Sequence, residues 1–258
     1  MNLPSFFRLD GRTAFISAAR GHLGAVMTRA LAGAGAHVIV NGRDQAKLAA
    51  FAEALRGEGF SVEHAAFDIA DTAAVRAFFG TRKRLDILVN NAVSMQVKSF
   101  AALEPADFAV TYQSAVTASF ETARAALPAL KEAAASGEAS IVNIASMYGQ
   151  VAPDGRLYAT REGQSPFHYG PAKAALLQLT RHLAAELGPH RIRVNTLVPG
   201  AFPARIDPEL AGRLAGRTML GRLGDAREIA GPLLFLASSA SSYMTGAALN
   251  IDGGWTAW

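Results

Sequence analysis

The chain contains no cysteine, which excludes disulfides, thiolate catalysis and cysteine-ligated zinc and removes any demand for an oxidising compartment. Long apolar runs are missing too. Met1 to Asp10 lacks the apolar core of a signal peptide, and Leu233 to Ala237 is far too short to span a bilayer. The expectation is a cytoplasmic protein with no membrane partner. Dense blocks of one charge are also absent: the formal charge of +4 comes from arginines scattered through Arg20, Arg43, Arg82, Arg84, Arg191, Arg193 and Arg205. Without a basic helix or an aromatic-interleaved patch, nucleic acid is not the expected partner. His182 and His190 have no clustered ligands, so no metal site is expected.

What the chain does have is length and apolar content, with 258 residues of which 50% are hydrophobic, enough for one large core. Short β-branched runs alternate with alanine-rich amphipathic stretches: Thr13 to Ser17, Leu23 to Ala34, His37 to Asn41, then Asp44 to Arg56. That rhythm is the signature of βαβ units and a parallel sheet. Further strands are expected at Val62 to Phe67, Ile87 to Asn90, Ser140 to Ile144, Arg193 to Val198 and Ala248 to Ile251. Helices are expected at Thr72 to Thr81, Pro105 to Ala135, Tyr169 to Leu187 and Ala226 to Ala237. No Gly/Ser/Pro linker and no repeat divides the chain, so residues 1–258 read as one domain. Two stretches, Gln150 to Phe167 and Ala201 to Arg222, resist assignment and would flank a site at the carboxyl edge of the sheet.

Ser17-Ala18-Ala19-Arg20-Gly21-His22-Leu23-Gly24 follows the first strand and opens the first helix. Glycines in such a turn let backbone approach a pyrophosphate, and the helix start supplies free N–H groups. The next strand ends at Asn41-Gly42-Arg43 with no acidic residue to bind a ribose 2′-hydroxyl. Arg43 stands where a cation could meet a 2′-phosphate, which favours NADPH (NADP) while leaving NAD open; the alternative is a solvated turn residue. Asp68, followed by Ile69, could accept from an adenine amino group or cap the next helix, for which Asp71 is an equal candidate.

Tyr169-Gly-Pro-Ala-Lys173 puts a phenol and an ammonium on one face of a helix start. A phenol with a pKa near ~10 is a poor base at neutral pH, and a cation beside it favours the phenolate. With these residues on the page, the chain resembles the short-chain dehydrogenase/reductase family, in particular its sugar-modifying, gluconate 5-dehydrogenase-like members. The likeness rests on an ordered set: the Ser17 to Gly24 turn, Asp68, Asn90-Asn91-Ala92, Asn143-Ile144-Ala145-Ser146, Tyr169 and Lys173, Ile192-Arg193-Val194-Asn195 with Pro199-Gly200, and Asp252-Gly253-Gly254.

The resemblance implies a doubly wound Rossmann domain with a seven-stranded parallel sheet, a homodimer or homotetramer, and hydride transfer between nicotinamide and a carbonyl or alcohol carbon. By the same likeness Tyr169 is the acid/base, Lys173 binds the nicotinamide ribose and lowers the tyrosine pKa, and Ser146 hydrogen-bonds the substrate oxygen. Ser17, Arg20, Gly21, Leu23, Gly24, Asn41, Arg43, Asp68, Ile69, Asn91, Ala92, Tyr169, Lys173, Pro199 and Gly200 are the implied cofactor contacts.

The chain departs from the family pattern at several points. Ala18 replaces a glycine, which a turn tolerates if Ala18 keeps negative φ. Val93 also stands where glycine is usual, and no threonine follows Pro199-Gly200. Ala115 occupies the position of an asparagine that holds a relay water behind the lysine, and Ser114 lies about 100° around an α-helix from it. Either the relay uses another group, or chemistry is slowed, or the register differs. The longer interval between Ser146 and Tyr169 carries Asp154, Arg156, Tyr158, Arg161, Glu162 and Gln164, which suit a hydroxylated or acidic substrate or else form an exposed loop. Phe202 and the stretch to Arg222 are candidates for a lid, and His168 reads as a solvated neighbour of Tyr169. The terminal Trp255-Thr-Ala-Trp258 should pack at a subunit interface or against that lid.

Three functional readings follow. The leading one is an NADP-dependent oxidoreductase acting on a small polar carbonyl/alcohol pair such as a sugar acid, polyol or keto compound. The others are a 3-oxoacyl thioester reductase and a cofactor-binding protein without catalysis.

Overall fold

The computed structural model describes residues 4–160 and 163–258. Seven strands form one parallel sheet: β1 (Thr13–Ile16), β2 (His37–Gly42), β3 (Val62–Ala66), β4 (Ile87–Asn90), β5 (Ala139–Ile144), β6 (Ile192–Pro199) and β7 (Ala248–Ile251). Their order is β3-β2-β1-β4-β5-β6-β7. The chain reverses its winding between β1 and β4, so a crevice opens there beyond the carboxyl ends of the strands.

Strand residues alternate between two apolar faces because successive side chains point opposite ways. Ala14, Ile16, Val38, Val40, Ile87 and Val89 join one core with α1 (His22–Gly33), α2 (Gln45–Gly57) and α8 (Ala230–Ala237). Phe15, Ile39, Leu88 and Ile141 join the other with α3 (Thr72–Gly80), α5 (Ala118–Ala135) and α6 (Tyr169–Leu187). A sheet covered on both faces needs near-continuous apolar strands, which is what these runs supply.

Buried polar side chains knit the middle of the sheet. Thr122 donates to Asn90 (2.8 Å), Asn90 donates to Asn143 (2.9 Å), and Asn143 donates to Thr180 (2.9 Å), whose hydroxyl also accepts from Thr196 (2.7 Å). Asn90 and Asn143 thus tie β4, β5, β6, α5 and α6 together with their hydrogen bonds satisfied. Arg193 is buried, paired with Glu138 at 2.7 Å and bonded to the Leu236 and Ser238 carbonyls. Asn195 likewise holds Met244 and Ala247. These two motif residues brace the C-terminal segment.

Most expected elements form within a residue or two of their anticipated ends. The stretch 105–135 is the main exception: α4 (Pro105–Tyr112) is followed by a π turn over Gln113–Thr117 before α5 begins. In addition, the unassigned 201–222 stretch contains α7 (Pro208–Ala215), capped by the Asp207 carboxylate on the Glu209 and Leu210 N–H groups. A proline at its first position and an acidic cap start such a helix locally. The expected 226–237 helix begins as a 3₁₀ turn over Ala226–Ile229. No described helix is long and apolar enough to cross a membrane.

Candidate active site

Ser17 leaves β1 buried, and its hydroxyl accepts from the Asn91 N–H (2.9 Å) and the Ala92 N–H (3.0 Å). Asn91 returns the bond through its amide to the Ser17 carbonyl at 3.0 Å. The turn between β1 and α1 is therefore anchored to the end of β4. Ala18 corrects an expectation: it takes φ +49°, the left-handed region, instead of a negative φ. Its carbonyl accepts from Gly21 N–H at 3.0 Å. A Cβ on Gly24 would lie 2.3 Å from that carbonyl, so glycine is required where α1 crosses the turn.

This turn forms one wall of a cleft of about 790 Å³ that Arg20, Gly21, Asn41, Arg43, Asp68, Ile69 and Ala92 help to line. Among the described residues Arg20 and Arg43 make no ion pair, whereas neighbouring Asp44 is engaged by Lys47 through its backbone N–H (3.0 Å) and its ammonium (2.9 Å). Asn41 is buried, with its amide donating to the Ala65 and Phe67 carbonyls, so it braces β2 against β3 as well as lining the cleft. The cap of α3 is Asp71, bonded to the Ala73 and Ala74 N–H groups. Among the described residues the Asp68 carboxylate accepts only from the Ala70 N–H (2.9 Å), and Asp68 lines the cleft.

Leu23 and Gly24 lie behind this wall: Leu23 packs on the core, and Gly24 is buried. Neither lines the cleft. Gly200 is likewise in backbone contact with Asp252, where a Cβ would sit 2.6 Å from its Cα, and Pro199 ends β6. The Pro-Gly and Asp-Gly-Gly motifs are thus two sides of one close approach between the ends of β6 and β7.

At the other end of the crevice, Ser146 follows β5 and accepts from the Tyr148 N–H at 3.2 Å. Tyr169 starts α6, and one turn later Lys173 is almost fully buried, its ammonium donating to the Ile144 carbonyl at 2.6 Å and lying 5.6 Å from the Tyr169 ring centre. Burial pushes the Lys173 pKa down to about 8. Burial also raises the Tyr169 phenol above its ordinary value, with the Ser146 hydroxyl pulling the other way. The net direction is upward because the phenol has lost water, which outweighs the hydrogen bond.

The π turn separates the fates of two residues within it. Ala115 is buried against Ala172 and Leu176 on α6, while Ser114 accepts from the Ser94 N–H at 2.8 Å and lines the cleft. Val93 lines the cleft and packs on the Ala115 cluster. His168 corrects another expectation: it is 1% exposed, beside the Phe108 ring at 5.8 Å, and among the described residues neither ring nitrogen has a hydrogen-bond partner.

The two long loops meet around Met147 and Tyr148. Met147, Leu214 and Trp255 are buried together, with Tyr148, Leu157, Tyr158 and Ile206 packed on them. Arg213 of α7 donates to the Leu157 carbonyl at 2.6 Å. Trp255 therefore packs against the 201–222 segment, while Trp258 is exposed and donates to the Arg217 carbonyl. Phe202 lies flat against Gly224, where a Cβ would be 2.4 Å from its ring. Arg161 and Glu162 lie outside the described residues. Sequence reasoning did not single out Ser94 or Tyr148, and it weighed Ser114 only as a neighbour of Ala115; Tyr148 has a cue in standing two residues beyond Ser146.

The profile of the family described as Enoyl-(Acyl carrier protein) reductase matches residues 18–256. The chain belongs to the short-chain dehydrogenase/reductase family of oxidoreductases. It is 34% identical to galactitol 2-dehydrogenase (L-tagatose-forming) of Cereibacter sphaeroides, covering all of both chains. It is 33% identical to the rhamnolipids biosynthesis 3-oxoacyl-(acyl-carrier-protein) reductase of Pseudomonas aeruginosa, over 96% of this chain and 98% of that one. Among solved structures it is similar to a gluconate 5-dehydrogenase from Burkholderia cenocepacia in complex with NADP and tartrate, with 33% identity, a TM-score of 0.87 and 98% coverage of each chain. Family membership accounts for the ordered motifs.

Proposed function

We propose that this short-chain dehydrogenase/reductase interconverts a small polar carbonyl compound and its alcohol, a sugar acid, polyol or related keto compound, with NADPH as the preferred cofactor. The observation that carries this reading is the meeting of the Ser146 hydroxyl, the Tyr169 phenol and the buried Lys173 ammonium beyond the strand ends, in a chain whose cleft holds two arginines without an ion pair among the described residues. The residues present suit a dinucleotide: Gly21 and Gly24 clear the turn, Asp68 keeps an acceptor free, and Arg20 and Arg43 supply cations. Arg43 would meet a 2′-phosphate, and the nearest carboxylate, that of Asp44, is occupied by Lys47. The relatives named for galactitol and gluconate support the polar substrate class.

Bound NADPH supplies the hydride and its electron pair for carbonyl reduction. Ser146 donates a hydrogen bond to the carbonyl oxygen as negative charge develops there. Tyr169 delivers its phenolic proton to that oxygen, completing the alcohol. A phenol is protonated at neutral pH, the state needed for reduction, and burial favours that state further. Lys173 places its charge below the phenol and stabilises the phenolate left after proton transfer.

Residues 1–258 act as one unit, in the cytoplasm, as a homo-oligomer and most simply a homotetramer. The exposed Phe108, Tyr112 and Phe120 along α4 and α5 support association. A fluorescence titration with NADPH and, in parallel, NADH tests the cofactor, with tighter NADPH binding expected. Turnover of ketoses and keto acids then tests the reaction. Preference for an acyl-carrier thioester would move the reading to a 3-oxoacyl reductase, and binding without any turnover would move it to a non-catalytic protein.

A further inference from the structure

Tyr148 is held rigidly with respect to Tyr169. The 3₁₀ turn Met147–Gly149 lies backbone to backbone on the start of α6: a Cβ on Gly149 would be 2.8 Å from the Lys173 carbonyl carbon, and one on Gly170 would be 2.8 Å from the Tyr148 carbonyl oxygen. The Trp255 ring braces the Tyr148 ring edge-on, 6.5 Å between centres. The Tyr148 hydroxyl meets the Tyr158 hydroxyl at 2.7 Å. Tyr158 comes from the segment between Ser146 and Tyr169, which Arg213 secures through the neighbouring Leu157 carbonyl.

Two phenols carry two O–H donors, and their mutual bond uses one. Among the described residues neither hydroxyl has another partner, so one O–H and several lone pairs remain to be satisfied. Burial first, and then the Tyr158 phenol, raise the Tyr148 pKa above that of an ordinary phenol, with Asp154 and Tyr169 near enough to add to the effect. Tyr148 therefore stays neutral, and the pair serves as hydrogen-bond donor and acceptor.

We propose that the Tyr148–Tyr158 pair is a specificity element that selects substrates carrying a hydroxyl on the carbon next to the reacting carbonyl. The inference rests on the carbonyl-reductase reading above and names a feature of its substrate. A hydroxyl at that position accepts the spare O–H and donates to a phenol oxygen. A methylene or methyl there leaves the spare O–H unpaired, which is how a polar site rejects an apolar analogue.

Hydroxyacetone and butanone form a matched probe pair, with a hydroxyl in one where the other has a methyl. With saturating NADPH, the wild-type protein should reduce hydroxyacetone with at least a tenfold higher kcat/KM than butanone. Tyr158→Phe should lose about tenfold or more of that preference through KM for hydroxyacetone, with kcat, butanone reduction and NADPH affinity little changed. Equal losses for both ketones, or no preference in the wild-type protein, would overturn the proposal while leaving the reductase reading intact. Reduction of no carbonyl at all would overturn both. If Tyr158→Phe fails to fold, inhibition of the wild-type protein still decides: propane-1,2-diol should inhibit at a concentration at least tenfold below butan-2-ol, and equal inhibition would sink the idea.

Discussion

Around Ala18 the walls of the crevice are mostly backbone, whereas around Tyr148 they are side chains from three stretches far apart in the chain. The nucleotide end is set by a turn whose carbonyls lie against Gly21 and Gly24 and whose hydroxyl anchor, Ser17, reaches only to the adjacent strand β4. The other end depends on Tyr158, Arg213 and Trp255 gathering around Met147 and Tyr148. Backbone geometry tolerates few residue types at each position, and side-chain clusters tolerate many. The first end is accordingly suited to one invariant ligand part and the second to a variable one.

The sharpest way to separate the two ends is Tyr169→Phe. Removing the phenolic oxygen should lower kcat by about a thousandfold, within the range for general acid catalysis, while NADPH affinity in a fluorescence titration changes little. A parallel loss of binding would show that the two ends are not independent.

Next comes the buried lysine, read through Lys173→Met. The folded pKa of Lys173 is depressed to about 8, and the unfolded lysine stays protonated up to about 10.4. Between those values the unfolded state binds more protons, so wild-type stability rises with pH. The variant lacks that rise. Comparing urea unfolding of the two across this window, the difference should shift toward the wild type by on the order of 3 kcal/mol. A pH-independent difference would mean the ammonium is not penalised by its burial.

A smaller effect is expected at the mouth of the nucleotide end. Arg43→Ala should raise the NADPH Kd by roughly ten- to thirtyfold, the size of one lost charge-assisted contact, with NADH affinity nearly unchanged. Equal weakening of both cofactors would place Arg43 away from the 2′-phosphate.

The smallest change is Ala18→Gly. A left-handed alanine costs roughly 1–2 kcal/mol, part of which the entropy of glycine takes back. A net gain of about 1 kcal/mol, read as a rise of a few degrees in Tm, is expected. A lower Tm would show that the Ala18 methyl makes a contact worth more than the strain.

Much of this was legible beforehand. All seven strands and the placement of Ser146, Tyr169 and Lys173 follow from apolar alternation and ordered motifs, since strand period and helix caps are local properties. The π turn was not legible: Gln113–Thr117 has no residue that signals it, and its place depends on Ser114 bonding Ser94 and Ala115 filling space beneath α6. The burial of His168 was equally hidden, because it comes from Phe108 on another helix. Leu23 and Gly24 read as cofactor contacts by motif, and the structure adds that Leu23 also packs on the core and that Gly24 lets α1 pass close to the Ala18 carbonyl.

By itself the sequence determined the parallel βαβ architecture, the glycine-bearing turn, the lack of an acid at Arg43 and the Tyr-Lys spacing on one helix face. Only the tertiary structure decided that Ala18 is left-handed, that the lysine spends its charge on Ile144, and that Tyr148 pairs with Tyr158. The first set depends on neighbours within a few residues. The second depends on burial and on contacts between segments that meet only when the sheet has brought its strand ends together.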